Sequence, residues 1–206
     1  MNKRKEITIV DYDAGNIFNI VSTLKKFHVK LNVTKNPKKI ISAEKIIIPG
    51  VGAFKEGINS LKKRRLFYPL KEFLSSEKPI LGICLGMQYF MEVSYEFNKT
   101  SGLGYFGGEV IKFDQKNVKR LPHVGWNYIK ITRNKIFKNI KSDSAFYFCH
   151  SYYTKPTNNK YVIGRTNYKK TQFCSVINKK NIYGCQFHPE RSGIAGSQFL
   201  KNFINL

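Results

Sequence analysis

The chain has 206 residues, enough for one well-buried domain over 1–206, and it contains no apolar run near the ~20 residues of a membrane helix, so a cytoplasmic protein is expected. Its 36 lysines and arginines against 13 aspartates and glutamates give a formal charge of +23, but the cations lie in short clusters such as Lys62-Lys63-Arg64-Arg65 and Lys179-Lys180 without a recognition motif, so no specific nucleic-acid partner is expected. Cys84, Cys149, Cys174 and Cys185 show neither zinc-type CxxC spacing nor the density of a disulfide scaffold, which predicts free thiols, no metal and no cofactor.

In chain order, residues 6–10 read as a first strand and 11–16 as the loop leaving it. Ile17, Ile20, Val21, Leu24 and Phe27 recur at helical spacing. A second strand follows at 29–34, a helix-entry signal at Asn36-Pro37, and a third strand at 45–48. The third strand enters the loop Pro49-Gly50-Val51-Gly52-Ala53-Phe54, which lacks both GxxxxGK[ST] and GxGxxG spacing and is therefore no nucleotide loop. One helical stretch is predicted over 57–74. This alternation implies a doubly wound, mostly parallel sheet with helices on both faces, and a site at the carboxyl ends of its strands. After Ser94 the pattern changes to a turn-rich segment at 102–108 and short strands at 109–113, 126–131, 146–150, 161–165, 173–177 and 182–187. A helix over 197–204 closes a strand-rich second half with no linker or repeat.

Chemistry concentrates at two places. Ile80 to Ile83 form a buried strand pattern that ends in Gly82-Ile83-Cys84-Leu85-Gly86, and helical spacing is read from Met87 through Val93. That is the pattern of a nucleophile elbow, with glycines where strand and helix backbones approach and a thiol at a helix start. A buried core cysteine is the alternative. The second place is Gln186-Phe187-His188-Pro189-Glu190, a strand ending in a histidine two residues before a carboxylate. Together they compose a cysteine, histidine and glutamate triad: Cys84 as nucleophile, His188 as base, Glu190 holding the imidazole. The Gly50-Val51 peptide has two useful orientations, one turning a carbonyl to the site, the other bringing the Val51 N–H beside the Leu85 N–H as an oxyanion hole.

These motifs resemble the class I, triad-type glutamine amidotransferases, and within them the glutaminase subunits of imidazole glycerol phosphate synthase. The resemblance spans nearly the whole chain. It is carried by Asp11-Tyr12 with Gly15-Asn16, the 49–54 loop, the 82–88 elbow, Gly102-Leu103-Gly104, Leu121-Pro122-His123-Val124-Gly125-Trp126-Asn127, Tyr147 with His150-Ser151-Tyr152-Tyr153, and 186–192. It implies a flavodoxin-like α/β domain that hydrolyses L-glutamine to glutamate and ammonia and passes the ammonia to a cyclase-type (βα)8-barrel subunit in a heterodimer. It also implies that Gly50, Gly52, Gln88, Ser151 and Tyr152 hold glutamine, and that Asn16, Trp126, Asn127, Tyr147 and Arg191 face the partner, with Trp126 a buried aromatic anchor. Asp13 and Gly107 depart from the pattern, standing where glycine and proline are expected. A paralogous synthase that aminates a sugar for surface glycans shares the chemistry and remains an alternative, as do a cysteine peptidase or deglycase and a basic binding protein.

Overall fold

The computed structural model describes residues 4–206. Its first half is β1 (Glu6–Val10), α1 (Ile17–Leu24), β2 (Lys30–Thr34), α2 (Pro37–Ile41), β3 (Ile46–Ile48), α3 (Phe54–Lys63), α4 (Phe67–Ser75) and β4 (Ile80–Ile83). Asparagines start the first two helices: Asn16 Oδ1 accepts from the Asn19 N–H at 3.1 Å, and Asn36 Oδ1 from the Lys38 N–H at 2.9 Å, with Pro37 in the first turn. The helical stretch expected over 57–74 is two helices. Between them Arg65 takes a left-handed φ of 60°, which turns the chain so that Leu61 and Leu70 both reach one core.

The second half is α5 (Leu85–Gln88), β5 (Met91–Ser94), β6 (Thr100–Ser101), β7 (Phe106–Lys112), β8 (His123–Tyr128), β9 (Lys130–Ile131), β10 (Ala145–His150), β11 (Tyr152–Pro156), β12 (Val162–Tyr168), β13 (Thr171–Lys179), β14 (Ile182–Cys185) and α6 (Gly193–Ile204). The helix predicted from Met87 through Val93 is not there: α5 is one turn, and Met91 begins a strand. Tyr89, Phe90 and Met91 are all fully buried, which no surface helix allows. Their carbonyls accept from the N–H groups of Leu103, Tyr105 and Gly104 instead of continuing a helix. So short a helix has little dipole, and the thiol at its start gains correspondingly little from it.

The described residues form an eight-stranded sheet in the order β2-β1-β3-β4-β14-β13-β12-β9. The first five strands pair in parallel, and the last three are added antiparallel. One face carries α2, α3 and α4 over Ile46, Ile48 and Ile80; the other carries α1 and α6 over Ile7, Ile9 and Leu81. Smaller sheets, β11-β7-β5-β6 and β10-β8, flank it. The pairing that positions the site is β4 with β14, in the register Gly82↔Gly184 and Ile83↔Cys185. It sets the end of the elbow strand beside the end of the strand leading to His188, and the Cys84 N–H donates to the Cys185 carbonyl at 2.7 Å.

The two departures from the resemblance lie away from that junction. Asp13 has a φ of 66°, the region that favours glycine, and its carboxylate is held by Lys35 at 2.5 Å and by Arg64. These two cations keep its carboxyl below the usual carboxylate range. Gly107 lies on β7 with nothing closer than 3.7 Å to a built Cβ, so no crowding demands glycine there.

Candidate active site

Cys84 adopts a φ of 54° and a ψ of −107°, a strained backbone for a residue with a side chain, and it is enforced from both sides. A Cβ on Gly82 would fall 2.5 Å from the Gly86 carbonyl oxygen, and one on Gly86 would fall 2.0 Å from the Ile48 carbonyl oxygen. Both glycines are therefore required by backbone contact. The strained turn leaves Cys84 Sγ at the sheet's carboxyl edge, with the Gln186 amide nitrogen 3.5 Å away.

His188 reaches the same point from β14. Its Nδ1 lies 2.9 Å from Glu190 Oε1, and the ring also hydrogen-bonds the Cys84 sulfur. Burial opposes charge on the ring, but the Cys84 sulfur and the Glu190 carboxylate outweigh it and push the imidazole up to about 11. The ring therefore lies beside the sulfur with its far nitrogen held by a carboxylate, the arrangement a thiol nucleophile and its base need. The turn is fastened to β10: the His188 N–H donates to the Tyr147 carbonyl at 2.9 Å, and Ser192 Oγ donates to the His188 carbonyl at 2.6 Å. Ser192 Oγ also accepts from the Tyr147 N–H. Ser192 is a positioning residue that sequence reasoning did not single out.

Residues 8–206 match the family described as Glutamine amidotransferase class-I. The chain belongs to that family. The imidazole glycerol phosphate synthase subunit HisH of Pelagibacter ubique (strain HTCC1062) is 42% identical over 207 residues, covering 97% of this chain and 99% of that one. The same subunit of Carboxydothermus hydrogenoformans (strain ATCC BAA-161 / DSM 6008 / Z-2901) is also 42% identical, over 94% of this chain and 96% of that one. Among solved structures, that of PurLQS from Thermotoga maritima superposes with a TM-score of 0.76 at 17% identity, over 98% of this chain and 99% of that one, a likeness of fold.

In this amidotransferase the triad opens into a pocket of about 340 Å³, room for a substrate of amino-acid size. Val51, Gly52, Leu85, Gln88, Ser151 and Tyr152 line it, as the motifs predict, and so do Asn16 and Arg191, which were expected to face the partner. Gly50 does not line it but lies against it, where a Cβ would meet Gly86 N, Leu85 Cβ and Tyr12 Oη at 2.8 Å. The Gly50 carbonyl accepts from the Leu85 N–H at 3.4 Å. Because C=O and N–H point opposite ways across a trans peptide, the Val51 N–H faces away from Leu85, and the expected oxyanion hole is not assembled in this conformation. Glu96 was missed. It lines the pocket, its Oε2 accepts from the Phe54 N–H at 2.5 Å, and burial holds its carboxyl above the usual carboxylate range.

Two expectations about the partner face are corrected. Trp126 is not buried: it is 59% exposed, and with Val124 at 54% and Tyr128 at 65% it forms the outward side of β8. The ring meets Tyr147 edge-on at 6.2 Å, and the Arg191 guanidinium lies 4.2 Å above Tyr147. Asn127 does not share that face. Alternate strand residues point to opposite sides, so Asn127 turns inward, where Nδ2 donates to the Asn167 carbonyl at 2.9 Å. Among the described residues no helix is long and apolar enough to cross a membrane, and no cluster of metal-ligating side chains is present.

Proposed function

We propose that the chain is the glutaminase subunit of an imidazole glycerol phosphate synthase, acting in the cytoplasm and feeding ammonia to a (βα)8-barrel cyclase subunit. The observation that carries the glutaminase chemistry is the contact of Cys84, at a strained elbow, with a His188 ring held by Glu190. His188 takes the Cys84 thiol proton as the sulfur attacks the carboxamide carbon of glutamine, and passes that proton to the departing ammonia as the C–N bond breaks. His188 then takes a proton from water as it attacks the thioester; the C–S bond breaks, glutamate leaves, and His188 returns the proton to the Cys84 sulfur. The Glu96 carboxylate and the Ser151-Tyr152 backbone suit the two charged ends of the amino acid. Gln88 Nε2 is occupied by the Tyr152 carbonyl and Gln186 Oε1, which leaves its own Oε1 for substrate.

The pathway rests on the names of relatives 37 to 42% identical over nearly the whole chain. Nothing favours the sugar-aminating paralogue, a peptidase or a nucleic-acid partner. The exposed Val124, Trp126 and Tyr128 beside the pocket suit an apolar docking face, since contiguous exposed aromatics are the usual anchors of an interface. Mixed with the cyclase subunit and its nucleotide acceptor, the chain should support glutamine-dependent synthesis of imidazole glycerol phosphate. Trp126→Ala should weaken the complex by about 2 kcal/mol, roughly 30-fold in Kd. Titration at low and high salt checks this: the loss should persist at both, and unchanged affinity would move the interface elsewhere.

A further inference from the structure

The hydrogen bonds around His123 and His150 all run in one direction. His150 Nδ1 lies 2.8 Å from the Tyr152 carbonyl, which only accepts, so Nδ1 carries the proton. In the neutral ring Nε2 is then a bare acceptor. It lies 3.1 Å from His123 Nδ1, which must therefore donate. His123 Nε2 is bare in turn, and it accepts from the Asn127 amide nitrogen at 3.2 Å. That amide is oriented independently, because Asn127 Oδ1 accepts from the Tyr128 N–H at 2.8 Å. Both rings are neutral: burial pushes His123 down to about 4 and His150 down to about 3. Aromatic rings hold them in place, with His123 stacked on Tyr168 at 4.0 Å and His150 packed on Phe173 at 5.0 Å.

Each end of this chain of donors has a functional address. At one end is β8, whose opposite side carries the exposed Val124, Trp126 and Tyr128. At the other, the Tyr152 carbonyl also accepts from Gln88 Nε2 at 3.0 Å; Gln88 donates to Gln186 Oε1 at 3.1 Å, and the Gln186 amide nitrogen faces Cys84 Sγ. We propose that His123 and His150 are positioning residues for the glutaminase reaction proposed above, tying the Tyr152 carbonyl, and through it Gln88, to the strand that carries the docking face. No proton moves along the chain. Its polarity matters because reversing either ring would set donor against donor or a bare nitrogen against a carbonyl, and the buried site offers neither a replacement partner.

His123→Phe keeps a ring between Tyr168 and Phe148 but removes both nitrogens. In the complex with the cyclase subunit, the KM for glutamine should rise about tenfold, the effect of losing one buried hydrogen bond, with kcat changed less. The rate with added ammonia should not change. Nitrogen-15 NMR of the unmodified chain should show both histidines neutral with Nδ1 protonated and Nε2 bare, and His123→Phe should shift the His150 Nε2 resonance towards that of a free acceptor. An Nε2-protonated tautomer on either ring, or an unchanged KM in the variant, overturns the proposal. So does loss of the ammonia-dependent rate, which would place the damage in docking. The tautomer measurement decides even where the variant does not fold. Failure of the glutaminase assignment itself would appear separately, as absent glutamine turnover by the unmodified complex.

Discussion

Replacing Cys84 with alanine should lower glutamine-dependent turnover by a factor on the order of 10⁶, the usual consequence of removing a triad nucleophile. The rate of the complex with added ammonia should stay at the unmodified level. The two rates separate chemistry from structure: a cysteine that served only the core would, when removed, damage both. Glu190→Gln should cost less, about 10⁴-fold, because the imidazole survives but loses the carboxylate 2.9 Å from Nδ1 that fixes its tautomer and supports its charge. Cys149→Ser is the internal control. Cys149 is exposed on β10 and lines the same pocket, and its contact with Cys84 Sγ, at 4.0 Å, is through the backbone carbonyl that serine keeps, so its replacement should leave glutamine turnover within about threefold, the span of an ordinary exposed substitution.

The second large effect concerns the 50–51 peptide. With the Gly50 carbonyl accepting from the Leu85 N–H, the position where oxyanion donors are needed presents an acceptor. Rotation of this one peptide exchanges that carbonyl for the Val51 N–H. Loss of one such donor costs about 10² to 10³ in turnover, so the conformation described here is nearly silent. The isolated chain should bind glutamine but hydrolyse it about 10² to 10³ more slowly than the complex with partner and acceptor, with a much smaller change in KM. Val51→Pro tests the donor itself. It deletes the N–H, and the exposed Val51 side chain leaves room for the ring. Stimulation by partner and acceptor should be lost in this variant while glutamine binding persists. Fast hydrolysis by the isolated chain, or normal activation of Val51→Pro, would rule out the peptide rotation.

The triad was legible from sequence because its signals are local: a glycine on each side of Cys84, and a histidine, proline and glutamate in succession. Strands β1 to β4 were legible for a similar reason, each being a short apolar run next to a helical period. What was hidden depends on distant pairing. Met91 and Val93 fit a helix by spacing, and only their partners on β7, Phe106 and Glu109, decide for a strand. β11 was unreadable because Tyr152 to Pro156 alternates weakly and owes its form to pairing with β7. Glu96 carries no motif, and it becomes a pocket residue only through its bond to the Phe54 N–H. One error was avoidable. Trp126 and Asn127 are adjacent in a predicted strand and cannot face the same way, so one of them had to turn inward.

The bond that forms between Cys84 and substrate is the most direct test of the glutaminase chemistry. The complex, supplied with glutamine and acceptor, is quenched in acid during turnover, digested, and its cysteine peptides are weighed by mass spectrometry. A γ-glutamyl group on the peptide containing Cys84, absent before glutamine is added and absent from the Cys84→Ala chain, is the predicted result. Glutamate accumulating with no adduct on Cys84 at any time, or with the adduct on Cys149 instead, would contradict it.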